Sequence, residues 1–191
     1  MCTPAMGLSL WLVPPPNEFD VLQQVLDNLA KQGNGPAFQP HVTLVSVPIS
    51  TPLPFPPLHF DHFPPMTLEF LDVRTGPTFT QSVLITVKPN PELQNLHDSV
   101  RESLRVPLPP GDSYFPHLSL FYGGDQDRKE SLVRRLYEQG SAVSVSHEAA
   151  GGVEVASLSK VQVGDIWLVR TEGPVEKWEI MEKWKLGDSL K

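Results

Sequence analysis

PHVTL at residues 40–44 and PHLSL at residues 116–120 are nearly the same pentapeptide, written twice in one chain. Each sets a histidine behind a proline, a hydroxyl residue two positions on, and a leucine after that. Side chains at i and i+2 of a strand leave the same face. His41 and Thr43 therefore project together, with Val42 opposite. His117 and Ser119 do the same, with Leu118 opposite. Turned into a core, four polar groups would each need a partner; lining one cleft, they would meet a polar ligand. One His-x-hydroxyl on a strand is an ordinary polar face. Two copies, each between a proline and a leucine, form a candidate site.

The chemistry of such a site follows from its residue types. Histidine changes charge near neutral pH. Two histidines on opposite sides of a phosphodiester can serve as general base and general acid. Hydroxyls from Thr43 and Ser119 would donate to the non-bridging oxygens, where charge builds up in the transition state. Proton transfer and anion stabilisation call for no metal, and no cofactor is expected.

Around the two motifs, GLSLWLV (7–13) alternates as a strand and ends at three prolines. Asn17 is expected to cap a helix with Val21, Leu22, Val25, Leu26 and Leu29 on one face and Gly33 at its end. Residues 38–47 form the strand of the first motif. Seven prolines in 48–65 predict an extended loop. TLEFLDVR (67–74) and TQSVLITVK (80–88) pair as a hairpin about Gly76-Pro77. Asn90-Pro91 caps and starts a second helix, and 116–122 is the strand of the second motif. A third helix spans 127–140, and VEVASLSKVQ, DIWLVRT and WEIMEKWKL read as three strands. Strands and helices without strict alternation predict an α+β fold. The halves look like loose copies: strand, helix, His strand, then hairpin, helix, His strand.

Composition narrows the class. The 191 residues are 40% apolar and 19% charged, with a net charge of −7. Tracking a nucleic acid backbone takes several clustered cations, so a small phosphate ester is expected rather than long RNA. Cys2 stands alone, which forbids an intramolecular disulfide and points to a reducing, intracellular compartment. Residues 8–13 are too few to span a membrane and follow no basic leader. A monomer is expected.

GPAFQPHVTL (35–44), VRTGPTFTQSVLI (73–85), FPHLSLFYG (115–123) and LSLWLVP (8–14) together resemble the 2H phosphoesterase superfamily. The chain is more similar still to that superfamily's small cyclic nucleotide phosphodiesterases of plants and fungi. The resemblance implies a single bilobal domain over 1–191 with a LigT-like fold, each lobe an antiparallel sheet backed by helices around a central cleft. It implies hydrolysis of 2′,3′-cyclic nucleotides to 2′-phosphates, and of ADP-ribose 1″,2″-cyclic phosphate, a by-product of tRNA splicing. It implies that His117 activates water and His41 protonates the leaving oxygen, though the residues alone do not divide those roles. It implies that Trp11 and Tyr122 line the nucleotide site; read as residues, Trp11 is equally a core aromatic, and Tyr122, ending its strand beside Gly123-Gly124, belongs at the cleft rim. An RNA-end-processing member and a non-catalytic nucleotide-binding module are the alternatives.

Loop 48–65 departs from the pattern. His59 and His62 within it have no further ligands nearby and read as solvent or packing residues. His97 is expected on a surface and His147 in a loop.

Overall fold

Pro14 and Pro15 separate strand β1 (Gly7–Val13) from helix α1 (Pro16–Gly33). A computed structural model describes residues 7–107, 113–145 and 151–187. Proline suits a helix's first turn, where its missing N–H has no intrahelical partner to lose. The prolines thus start α1 ahead of Asn17, and Pro15 rather than Asn17 is the cap. Leu22, Val25, Leu26 and Leu29 are buried as their spacing predicts. Asn34 takes the left-handed conformation (φ 53°) and returns its N–H to the Ala30 carbonyl, which ends the helix.

The chain continues through β2 (Val42–Pro48), β3 (Met66–Thr75), β4 (Val83–Val87), α2 (Pro91–Ser103), β5 (His117–Phe121), α3 (Gln126–Glu138), β6 (Ala142–Val145), β7 (Gly152–Val155), β8 (Lys160–Val163), β9 (Asp165–Arg170) and β10 (Glu179–Lys185). Asn90 caps α2 as expected, accepting the Leu93 N–H at 3.0 Å. Asp125 caps α3 by accepting the Arg128 N–H at 2.9 Å. No helix among the described residues is long and apolar enough to cross a membrane.

Eight strands form one antiparallel sheet in the order β10-β9-β1-β2-β5-β4-β3-β8, while β6 and β7 form a separate pair. The order divides into two runs of four. They meet between β2 and β5 at one residue pair, Val42↔Leu118. Each motif strand is the inner edge of its run. The α+β class and the antiparallel halves match the sequence expectation.

On one face of the seam, Leu12, Val42, Leu118, Ile85 and Val73 follow one another in register across four of the pairings. All five are buried in a core shared with the three helices. The opposite face is left for the polar halves of the motifs.

Several local expectations change. VEVASLSKVQ is two strands, because Ala156 and Ser157 adopt positive φ (50° and 67°) and fold the chain back at a Val155–Leu158 bridge. The run AVSV becomes β6, too short to announce itself. A 3-10 turn at Phe79–Gln81 separates β3 from β4, so their link is longer than a Gly-Pro turn. His97 is buried, 5% exposed, with its ring stacked on Tyr114 at 4.0 Å. His147 lies outside the described residues. Residues 49–65 hold neither helix nor strand, yet Leu58 and Phe60 anchor the loop in the core.

Gly33 and Gly35 let α1 close tightly on the end of β5. A Cβ at Gly33 would lie 2.3 Å from the Phe121 ring, and one at Gly35 2.4 Å from it. Overpacking of this kind costs about 1–3 kcal/mol. Gly33→Ala should therefore lower the urea midpoint by a matching amount, and an unchanged midpoint would contradict the close approach.

Candidate active site

The single Val42↔Leu118 pairing fixes what faces what. In an antiparallel pair, residues directly opposite share a face with Cβ atoms about 4.5–5.5 Å apart. Stepping one residue each way along the two strands from that pairing sets His41 level with Ser119 and Thr43 level with His117. All four motif side chains thus leave one face at the seam. The register extends the row on both sides: Trp11 pairs with Thr43 and Trp167 with Trp11, while Thr86 pairs with His117 and Asp72 with Thr86.

The two imidazoles are held by the same device. Nδ1–H of His41 donates to the Gln39 carbonyl at 2.7 Å, and Nδ1–H of His117 to the Phe115 carbonyl at 2.8 Å. A carbonyl only accepts, so it assigns the proton to Nδ1 and leaves Nε2 to exchange protons. In each motif the accepting residue precedes a proline. Proline fixes its own φ and drives the residue before it into extended backbone. Those restraints aim the carbonyl, which gives the Pro of each pentapeptide a physical role.

The environments of the rings differ. His41 is buried, 4% exposed, and stacks face to face on Trp11 at 3.6 Å. Burial drives its pKa down to about 3, against the raising effect of the Gln39 carbonyl, and His117 lowers it further. His117 is half-buried, with its ring 5.3 Å from that of Phe115. Burial lowers its pKa as well, opposed by the Phe115 carbonyl. Burial thus shifts both rings toward the neutral form.

The hydroxyls differ too. Ser119 donates to the Thr80 carbonyl at 2.7 Å. Thr43 is half-buried and its hydroxyl makes no such bond among the described residues; its carbonyl accepts the Tyr114 O–H at 2.9 Å.

Trp11 and Tyr122 are both in this region, but as buried residues. Tyr122 is 2% exposed and stacks on Phe38 at 3.7 Å, so it is not at the rim. The apolar neighbours behind Gly123-Gly124 draw the ring inward. Burial pushes its phenol up, with the adjacent Ser119 hydroxyl opposing. Trp178 lies about 6 Å from the Trp11 and Tyr122 rings, and its indole N–H is buried without a partner among the described residues. Trp11, Phe38 and Trp178 line a cavity of about 410 Å³ beside His41, with Glu176 and Glu179 among its other walls. Nothing in the sequence singled out Trp178. Phe38 and Phe115 could have been found from their places just ahead of each Pro-His pair.

His62 is exposed, with Nδ1 3.6 Å from Asp61. Among the described residues no three His, Cys, Asp or Glu side chains gather as a metal site.

Comparison with known proteins agrees with this architecture. The 2′,3′-cyclic-nucleotide 3′-phosphodiesterase of Kluyveromyces lactis is 24% identical over 213 residues, covering 93% of this chain and 98% of the relative. That of Yarrowia lipolytica is 27% identical over 227 residues, covering 92% and 98%. The E. coli LigT structure complexed with 3′-AMP superposes with a TM-score of 0.53 at 13% identity, covering 96% of this chain and 99% of that one. The crystal structure of a phosphoesterase gives 0.52 at 13% identity over 96% and 99%. The fold is LigT-like. The model of the family described as "Cyclic phosphodiesterase-like protein" matches residues 6–51 and 60–186, interrupted only at the tip of the proline-rich loop, and the chain belongs to that family.

Proposed function

We propose that the protein hydrolyses 2′,3′-cyclic nucleotides to nucleoside 2′-phosphates by general acid–base catalysis between His41 and His117, without a metal. The observation that carries this is the shared face: two imidazoles with Nε2 left to exchange protons, and two hydroxyls, at one seam between two half-sheets. The names of the fungal relatives support the substrate class. ADP-ribose 1″,2″-cyclic phosphate offers the same strained ester and is proposed as a second substrate, which would place the enzyme downstream of tRNA splicing. The chain acts as one bilobal unit in an intracellular setting, as a monomer, on small molecules rather than on long RNA.

The electrostatics support a division of labour. A less buried imidazole is the stronger base, so His117 takes a proton from water. A deeply buried one, once protonated, is the stronger acid, so His41 gives its proton to the departing 3′ oxygen. The substrate's phosphate anion offsets the cost of charging His41 on binding. Water's oxygen bonds to phosphorus as the P–O3′ bond breaks, and the two rings exchange protonation states. Thr43 and Ser119 donate to the non-bridging oxygens. Ser119 has one proton and must turn it away from the Thr80 carbonyl to do so. The base stacks in the cavity beside His41, against Trp11 and Phe38, the latter backed by Tyr122, with the Trp178 N–H as a donor.

Turnover of adenosine 2′,3′-cyclic phosphate tests the pair. His41→Ala and His117→Ala should each lower kcat by roughly 10²–10⁴-fold with nucleotide binding retained, and chelator should change nothing. Near-normal turnover in either variant would remove the acid–base assignment. Thr43→Ala should cost more than Ser119→Ala, because only Ser119 gives up an existing bond when it donates; one to two orders of magnitude is the expected scale for Thr43.

The pH profile gives a further test. Burial lowers both histidines from the ordinary value of 6.5, and kcat/KM reports groups of the free enzyme. The proton needed for the acid step is lost as pH rises through these lowered values. The alkaline limb of kcat/KM should therefore fall below pH 6.5, and that of kcat at higher pH, because the bound anion favours the imidazolium. A kcat/KM that stays flat through pH 8 would contradict the pair.

A further inference from the structure

A second cavity, of about 430 Å³, opens on the other side of the histidine pair, with Leu71, Arg74, Thr86, Tyr114 and Phe115 among its walls. Two of its walls, Thr86 and Arg74, stand on the motif face: Thr86 opposite His117, and Arg74 two residues along β3 from Asp72, which stands opposite Thr86. Arg74 lies in the neighbouring row, opposite Leu84, which itself stands opposite Ser119.

The cation in this cavity is built in. The Thr86 hydroxyl donates to the Asp72 carboxylate, whose backbone N–H in turn donates to Thr86 Oγ1 at 3.3 Å. The same carboxylate oxygen lies 3.6 Å from Arg74 Nε. The guanidinium carbon sits 5.2 Å from the centre of the Phe115 ring, within range of a cation–π contact. Held at Nε and against a ring face, the fork still has a side chain 51% exposed. Phe115 and Leu71 are among the most exposed large apolar residues, at 42% and 40%. The stack runs from the His117 imidazole through Phe115 to Arg74 in steps of 5.3 and 5.2 Å.

The two cavities flanking the pair differ in charge. The one beside His41 is aromatic and carries Glu176 and Glu179, which repel an anion. The one beside His117 carries Arg74. In a 2′,3′-cyclic nucleotide both lower ribose oxygens belong to the ester and C1′ carries the base. Only the 5′ oxygen remains to carry a second anion.

We propose that Arg74, seated by Asp72 and Phe115, is a subsite for a 5′-phosphate, so that the preferred substrates are cyclic nucleotides phosphorylated at the 5′ oxygen. This rests on the proposed hydrolysis of 2′,3′-cyclic nucleotides. The base lies in the cavity beside His41, the cyclic phosphate between the imidazoles, and the 5′ anion on the guanidinium fork, which is suited to bidentate contact with phosphate.

Adenosine 2′,3′-cyclic phosphate and its 5′-phosphorylated form should be compared as substrates of the wild type, Arg74→Ala and Arg74→Lys. The expected result is a KM roughly tenfold lower for the phosphorylated compound, a ratio near one in Arg74→Ala, and a partial ratio in Arg74→Lys, whose point charge cannot bridge two oxygens. A wild-type ratio near one, or a preference that survives Arg74→Ala, overturns the subsite while leaving the hydrolysis in place. Turnover of neither compound by the wild type overturns the hydrolysis and the subsite with it.

Discussion

One backbone pairing, Val42 with Leu118, decides what this molecule can do. The two half-sheets touch through little else along β2 and β5, and that touch sets which residues stand level. Because side chains alternate along a strand, a slip of one residue would send every motif side chain on that strand to the other face. The apolar residues between the polar ones specify the register: Val42 and Leu118 belong to the core row that runs through Leu12, Ile85 and Val73. Burying that row costs the protein nothing in polar satisfaction, and it forces the His and hydroxyl residues together on the face it does not use.

The histidines are then tuned by what lies next to them. Each has its tautomer assigned by the carbonyl two residues before it, aimed by a proline. Burial shifts both toward the neutral form, His41 more strongly because Trp11 covers one face of its ring. Under the proposed hydrolysis, such a desolvated pair takes its field from the bound anion, which favours a substrate already carrying a phosphodiester charge over a neutral one.

The motifs made the proposed catalytic quartet legible in the sequence, since strand periodicity alone puts His41 with Thr43 and His117 with Ser119. Which strands would be neighbours was not legible, and the seam is a tertiary fact. The capping of α2 by Asn90-Pro91 could be read locally because the cap is local. The break at Ala156-Ser157 could not, because neither residue advertises a left-handed turn. His97 and Tyr122 were placed too far outward for one reason: a polar atom on a ring says little about where the rest of the ring packs. Arg74 drew no notice as a residue because its contact with Phe115 and the Thr86 bond to Asp72 exist only after β3, β4 and β5 have paired.

The most direct test is a crystal structure with a nucleoside 2′-phosphate bound. The phosphate should sit between the rings, accepting from Nε2 of both His41 and His117 and from the Thr43 hydroxyl, with the Nδ1 bonds to Gln39 and Phe115 intact. A phosphate bound away from the seam, or touching only one of the two imidazoles, would contradict the account.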